Sequence, residues 1–305
     1  MASNLSEPGD PLERSGKAEL SARQRGLALV LVLWFIAALS IVAVSLSAVS
    51  RVDGRAVAVL IAETRAVAAA DAAIQLVLRD IDADPALVGG GGLLGALVSF
   101  NGHDVTVDVR PETAFVNLNQ ASHALLRELI HRIGGEDESA ADVLATAVAA
   151  WREPSVTGDL ARNYEAAGLG FRPRHGMFVA PEDLLQVLGF EYPLYVKIRD
   201  FVTVHGGSRG VDDRFAPEEI LILLARGNRD VAKRIAEARS AGEFGVDTTM
   251  LDQNLIERGT GHVLKLDAHV VVDGVGFRHS RWLERASGRN PQEPWVTLAL
   301  ETRPL

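Results

Sequence analysis

RQRGLALVLVLWFIAALSIVAVSLSAVSR, residues 23–51, holds 25 uncharged residues, Gly26 to Ser50, between Arg25 and Arg51. Roughly 20 apolar residues in a helix span the ~30 Å hydrocarbon core of a bilayer, so Leu27 to Val49 is long enough to cross one. The stretch predicts a long N-terminal transmembrane helix. Arg23 and Arg25 favour a cytoplasmic N-terminus with the rest of the chain exported, although Arg51 and Arg55 on the far side weaken the asymmetry.

Three readings of this segment compete. An ordinary signal anchor rests on hydropathy alone. A cleaved secretory signal would use Ala48-Val49-Ser50 as its small-residue exit, but its apolar region normally has about 7–15 residues and this one is longer. The third is a prepilin-type leader, which is hydrophilic, ends in basic residues and glycine, and is cut ahead of the apolar run so that the hydrophobic helix is kept. Residues 1–26 fit that pattern with Glu7, Asp10, Glu13 and Glu19 balanced by Arg14, Lys17, Arg23 and Arg25. Pro8, Gly9, Pro11 and Gly16 oppose a stable helix there. The expected cut lies between Gly26 and Leu27.

Beyond the apolar run, Val57, Leu60, Ile61, Thr64, Val67, Ala68, Asp71, Ile74, Leu78 and Ile81 keep a three-four spacing, predicting that the helix continues in water until Asp84-Pro85. Gly89 to Gly92 reads as a loop and lacks the Gly-Lys-Ser/Thr ending of a phosphate cradle. From His103 the period becomes two, with Val105, Val107 and Val109 alternating with Asp104, Thr106 and Asp108. A second β region runs from Val263 to Val272, turns at Asp273-Gly274 as a type I′ hairpin, and returns from Val275 to Trp282. Trp295 to Thr302 is a further strand. The class is α+β, with a sheet split in sequence by a long insertion.

That insertion is helical and repetitive. Val116-Asn117-Leu118-Asn119-Gln120-Ala121-Ser122, followed by Leu125, Leu126 and Leu129, recurs 95 positions later as Val211-Asp212-Asp213-Arg214-Phe215-Ala216-Pro217, followed by Ile220, Leu221 and Leu224. Ala180-Pro181-Glu182-Asp183-Leu184-Leu185 starts a third copy. Ser or Pro ahead of acids and an apolar face is chemistry for opening a helix. Each start leads across a glycine turn to a second helix, predicted at Ala141–Trp151, Leu194–Val202 and Val231–Arg239, so the units are helix-hairpin-helix-like. Such units often bind nucleic-acid phosphate, but residues 112–247 carry 21 acids against 15 bases, which opposes it. Packing modules are the better reading.

Composition narrows the function further. A net charge of −9 does not suit a general binder of nucleic acid or anionic lipid, and zero cysteines exclude disulfides, thiolate metal sites and cysteine nucleophiles. Gly-x-Ser-x-Gly, His-Glu-x-x-His and Gly-x-Gly-x-x-Gly motifs are absent, and the eight histidines are scattered. His262 and His269, seven apart in an alternating strand, are expected to face opposite sides. No enzyme activity, catalytic residue, metal or cofactor is expected.

The Arg-Gln-Arg-Gly leader, the long apolar helix, Val-Asn-Leu-Asn at 116–119, Trp151 at a helix end, Phe171 to Phe178, Pro181 to Leu185 and Ala216 to Leu221 follow one another in a known order. In that order the chain resembles the K-type minor pseudopilins of bacterial type II secretion systems over essentially its whole length. The resemblance implies a leader at 1–26, a transmembrane and amphipathic helix at 27–84, a pseudopilin αβ domain from 85–111 and 248–305, and an inserted α-domain at 112–247. It implies a single-pass protein of the bacterial inner membrane with its C-terminal region in the periplasm, cut by prepilin peptidase and N-methylated at Leu27. It also implies I-type and J-type minor pseudopilins as partners at the tip of the pseudopilus, where the complex primes assembly, with contact to exported substrates and none to nucleic acid. Most pilin-like subunits carry glutamate at the fifth mature position; K-type members are apolar there, as is Leu31. The acidic loop that suits calcium in the family is reduced here to Glu153 and Asp159, with Leu160 at the expected glutamate, a poor cage for a cation wanting six to eight oxygens. The second Asn-x-Asn is Asp212-Asp213-Arg214, so any capping there falls to aspartate. The alternative function is a membrane-anchored helix-hairpin-helix DNA receptor, which leaves the leader and the terminal sheet unexplained; a membrane-tethered periplasmic hydrolase is third.

Overall fold

The structure, a computed structural model, describes residues 11–88, 93–153, 160–171, 173–242, 245–259, 261–286 and 294–305, and the side chains among them other than those of 11–28, 43–56, 93–94 and 160–162. Two compact units divide the chain, Met1–Ala62 and Glu63–Leu305. Helix α1 runs from Pro11 to Ala83, 73 residues. The expectation of a non-helical leader is therefore corrected for residues 11–26, while Pro8 and Gly9 lie outside the described residues. Proline fits a first helical turn, where its missing N–H has no acceptor in any case, and a lone Gly16 costs only about 1 kcal/mol. The far end is where Asp84-Pro85 put it.

Described side chains of the apolar run, Leu29 to Val42, are all exposed, Leu29 at 72 % and Trp34 at 74 %. Among the described residues no helix is long and apolar enough to cross a membrane. The remainder of the expected span, the side chains at 27–28 and 43–49, lies outside the described residues. In the second unit the buried face of α1 is Ala66, Ala69, Ala70, Ala73, Ile74, Val77, Leu78 and Ile81. This corrects the predicted stripe, of which only Ile74, Leu78 and Ile81 are buried; Val57, Leu60 and Ile61 are exposed. Alanines let a helix approach a sheet closely, whereas reading by hydropathy weights the larger Leu, Ile and Val.

Five antiparallel strands form the main sheet, in the order β1 (Leu93–Phe100), β2 (His103–Pro111), β5 (Val263–Val272), β6 (Val275–Arg285), β7 (Trp295–Pro304). Between β2 and β5 come β3 (Val116–Asn117), α2 (His123–Glu128), α3 (Glu138–Arg152), α4 (Leu160–Ala166), α5 (Tyr192–Ile198), β4 (Val202–Thr203), α6 (Glu218–Leu224) and α7 (Arg229–Ser240). The alternation in β2 buries Val105, Val107 and Val109, and the β5–β6 turn puts Asp273 and Gly274 at φ 51° and 80°, as a type I′ hairpin requires. Strand β1 was not foreseen. Gly95, at φ 69°, accompanies a register shift between Leu93 and Ala96 that interrupts its alternation. The turn into β2 is nevertheless Asn101-Gly102, both left-handed, a hairpin signal that sequence reasoning passed over.

Strands far apart in sequence close the sheet: β2 and β5 pair from Val105↔Val270 to Pro111↔Leu264. At the point where the chain leaves β2 and returns to β5, the buried Glu112 carboxylate accepts hydrogen bonds from the backbone of His262 (3.2 Å) and Val263 (3.1 Å). Gly206 and Gly261 lie against it so closely that a Cβ at either would collide with the Glu112 side chain. The helical segment has its own core, from Val116 through Trp151, Leu184 and Ile220 to Leu251 and Leu255, with no residue of the five-stranded sheet in it. That core extends past residue 247.

Candidate functional site

Two seams of polar contacts stand out among the described residues. The first ties the C-terminal part of α1 to β6. Asp71 Oδ1 is 2.8 Å from His279 Nε2 and 2.6 Å from Arg281 Nη2, and His279 Nδ1 is 2.7 Å from Thr302 Oγ1. Three helical turns on, Asp82 meets Arg285 Nη2 and Trp295 Nε1, both at 3.1 Å. Asp71 and His279 are close but not aligned as a hydrogen bond, since neither Asp71 Oδ1 nor His279 Nε2 has a partner of good geometry. Sequence reading placed Asp71 in the apolar stripe without asking why; an acid among alanines was the available signal for a partner across the seam.

His279 is 1 % exposed, and burial pulls its imidazole below the ordinary histidine range against the opposing pull of Asp71. Burial does the same to His205, which lies 5.4 Å from the Trp282 ring. A histidine whose folded pKa is depressed stays neutral while its unfolded counterpart protonates, so stability falls as pH drops below the unfolded value of about 6.5. Each such group contributes a slope of at most about 1.4 kcal/mol per pH unit. We expect urea midpoints to fall between pH 7 and 5 and the fall to become shallower in His279→Gln; an unchanged pH profile in that variant would contradict neutral burial of His279.

The second seam carries the 95-residue repeat into three dimensions. Asn117 Oδ1 accepts from Asn119 N (2.8 Å), and Asp212 Oδ1 from Arg214 N (3.1 Å). Asn117 O accepts from Gln120 N and Ala121 N, and Asp212 O from the equivalent Phe215 N and Ala216 N. Arg152, at the end of α3, donates to Leu118 O (2.9 Å) and Ala121 O (2.7 Å); Arg239, near the end of α7, donates to Asp213 O (3.0 Å) and Ala216 O (2.8 Å). Those acceptors are 95 positions apart. Burial pulls both guanidinium pKa values down, but an arginine starts high enough to stay charged. The arginine closure was missed, although both copies end their second helix in Ala or Trp followed by Arg.

Several expectations change in detail. Ser122 caps α2 through Leu125 N, but α6 begins at Pro217 without a side-chain cap, so Asp212 closes the preceding turn and not the helix. The third start, Pro181–Gln186, is a six-residue 3₁₀ helix capped by Asp183, and its second helix ends at Ile198, four residues short of the expected Val202. His262 precedes β5, so facing within one strand does not apply to it. The hairpin amides are already bonded inside the chain: Gly134 N to Leu129 O, Gly135 N to His131 O and Gly227 N to Ile222 O. That leaves none of these three N–H groups for a phosphate.

Gly26, Leu27 and Leu31 all lie on α1; the side chain of Leu27 lies outside the described residues, and Leu31 is 63 % exposed. Asp159 and the loop around it also lie outside them. Among the described residues no group of three or more His, Asp or Glu is arranged to hold a metal ion.

No family model matches this chain, and no curated protein does. A solved structure, the GspK-GspI-GspJ complex of the type 2 secretion system from enterotoxigenic Escherichia coli, contains a similar chain at 16 % identity and a TM-score of 0.47, over 68 % of this chain and 83 % of that one. A likeness at that identity and score carries no argument about function.

Proposed function

We propose that this chain is a K-type minor pseudopilin of a type II secretion system, made with a leader at 1–26, cut between Gly26 and Leu27 by prepilin peptidase, and N-methylated at Leu27. In this reading α1 anchors the protein in the bacterial inner membrane, the rest is periplasmic, and residues 112–247 form an inserted α-domain on a pseudopilin αβ domain. It works without enzyme activity or cofactor, joins I-type and J-type minor pseudopilins at the tip of the pseudopilus, and primes assembly for protein export.

The observation that carries the reading is the β2–β5 pairing, which closes one sheet around a helical segment with a core of its own. The exposed apolar surface from Leu29 to Val42 supports membrane insertion, since a patch of that kind needs an apolar surrounding. Within it Ser40 Oγ donates to Ile36 O at 2.8 Å, so this hydroxyl is satisfied inside the helix, as lipid demands. Leu31 suits a subunit with nothing above it, because no neighbouring N-terminal amine would neutralise a carboxylate buried in lipid at that position. A wide α-domain likewise suits a filament end better than a repeating stack.

Mass spectrometry of the mature N-terminus tests the proposal directly. The expected terminus is N-methylated Leu27. An intact Met1, or a start at Arg51 after signal-peptidase cleavage, would remove the prepilin reading.

A further inference from the structure

The turn between β1 and β2 is Asn101-Gly102, with φ 48° and 80°, and both residues are exposed. Positive φ at both central residues makes it a type I′ turn. Of the eight asparagines in the chain only Asn101 is followed by glycine, and a Cβ added at Gly102 would meet nothing within 4 Å. No side chain therefore shields the amide nitrogen of residue 102. The side chains of Asn117, Asn119, Asn228 and Asn254 are held in hydrogen bonds, whereas among the described residues neither the Asn101 amide nor the Gly102 N–H has a partner.

We propose that Asn101 is a site of spontaneous covalent modification, where the side-chain amide closes onto the Gly102 nitrogen and reopens as isoaspartate, releasing β1 from the sheet. The Gly102 nitrogen bonds to Asn101 Cγ, the Cγ–Nδ2 bond breaks, and ammonia leaves with the proton from Gly102. A five-membered imide remains. Water then adds to one of its two carbonyl carbons. Breaking the bond from nitrogen to Cγ gives aspartate, and breaking the bond from nitrogen to the main-chain carbonyl carbon gives isoaspartate, with the backbone rerouted through Cβ and Cγ. The inference stands independently of the secretion role.

Turn geometry lets the ring close without unfolding. In a type I′ turn the Gly102 nitrogen points away from Asn101 Cγ, so the peptide between them has to flip. That flip produces a type II′ turn, in which only the first central residue keeps a positive φ. Asn101 already has one, and glycine accepts either sign. Both turn types serve two-residue hairpins, so β1 and β2 stay paired while the imide forms. Asp273-Gly274 has the same turn, but its carboxylate is paired with Arg65 at 3.4 Å, and a charged carboxylate carbon resists attack. Isoaspartate then adds one backbone atom to a loop whose length fixes the register of the hairpin. β1 is the strand exposed to that change, because it lies at the sheet edge and pairs only with β2.

The test ages the full chain in detergent micelles at pH 8.5 and follows each asparagine by peptide mapping, with electron-transfer fragmentation to separate aspartate from isoaspartate. Asn101 is expected to convert at least tenfold faster than any other asparagine, with isoaspartate in excess. Hydrogen exchange of the aged chain should quicken in residues 93–100 and stay unchanged in β5 and β6. Asn101→Gly keeps a type I′ sequence but cannot cyclise, so its β1 should remain protected after the same treatment. Three results would overturn the proposal. One is conversion of Asn101 no faster than that of its counterparts; another is conversion in the folded chain more than a hundredfold slower than in urea, which would mean that the turn holds the peptide fixed. The third is an aged, isoaspartate-containing chain whose β1 exchanges as slowly as the fresh one.

Discussion

Trp151→Ala is expected to lower the opening free energy of the helical insert by about 3–5 kcal/mol, the range for removing a large aromatic from a core. Trp151 is 1 % exposed in the last turn of α3, stacked on Phe178 at 6.1 Å and tilted against Tyr164 at 6.5 Å. Its position ties together three stretches that share no regular hydrogen-bond ladder. The Tyr164 hydroxyl accepts from Leu188 N at 2.8 Å, Trp151 O accepts from Gly176 N at 3.2 Å, and Phe178 N and O both bond the Asn119 side chain. An alanine would leave a cavity that none of these loops can collapse to fill without breaking those bonds. Trp151 Nε1 has no hydrogen-bond partner among the described residues, so Trp151→Phe removes an unsatisfied donor along with some volume and is expected to cost less than half as much. Hydrogen exchange across residues 116–255 reads both variants without assuming that the whole chain unfolds at once. An alanine variant within about 1 kcal/mol of the parent would show that the insert does not depend on this aromatic cluster.

What the sequence disclosed and what it withheld divide along physical lines. Elements announced by a period or a turn came through: β2 and β5 with their inward valines, the Asp273-Gly274 turn and β6 after it, and the two-helix units after Val116 and Val211. Elements set by close packing did not. The buried stripe of α1 is built from Ala66, Ala69, Ala70 and Ala73, whose small size is the point of their presence but whose hydropathy is unremarkable. β1 was hidden because Gly95 breaks its alternation while its amide bonds the Asp108 carboxylate at 2.7 Å. The polar seams were hidden for a different reason. Asp71 and His279 are 208 positions apart, and only the fold says that an acid on a helix and a histidine on a strand will meet. The repeat was legible as letters, yet its arginine closures lie 87 positions apart on acceptors 95 apart, so no fixed spacing exposes them.

Asp213→Ala is expected to cost about 3 kcal/mol, and the repeat itself explains why that residue needs company. The equivalent position in the first copy is Leu118, 1 % exposed and part of the core; in the second copy it is a carboxylate with no exposed side-chain surface. Arg258 resolves the conflict by donating from Nε at 2.7 Å and Nη2 at 2.8 Å. Burial alone would push the Asp213 carboxyl up, but the hydrogen bonds and charge of Arg258 outweigh it and hold the pKa below the ordinary carboxylate value. A depressed folded pKa means that this contribution is present above the unfolded value of about 3.9 and is lost as pH falls through the folded one. It is therefore separate from the histidine-linked loss that begins near pH 6.5. Breaking a buried pair usually costs about 3–5 kcal/mol; the lower end applies because the Arg258 side chain, half exposed, recovers water when its partner is gone. Asp213→Leu together with Arg258→Met, which copies the apolar solution of the first repeat, is expected to fall within about 1 kcal/mol of the parent and to flatten the stability profile below pH 4, since replacing such a pair by apolar residues is often neutral. Urea unfolding at pH 7 and pH 3.5 decides between the two solutions: a double variant as damaged as Asp213→Ala would mean that the second copy has diverged too far to accept the packing of the first.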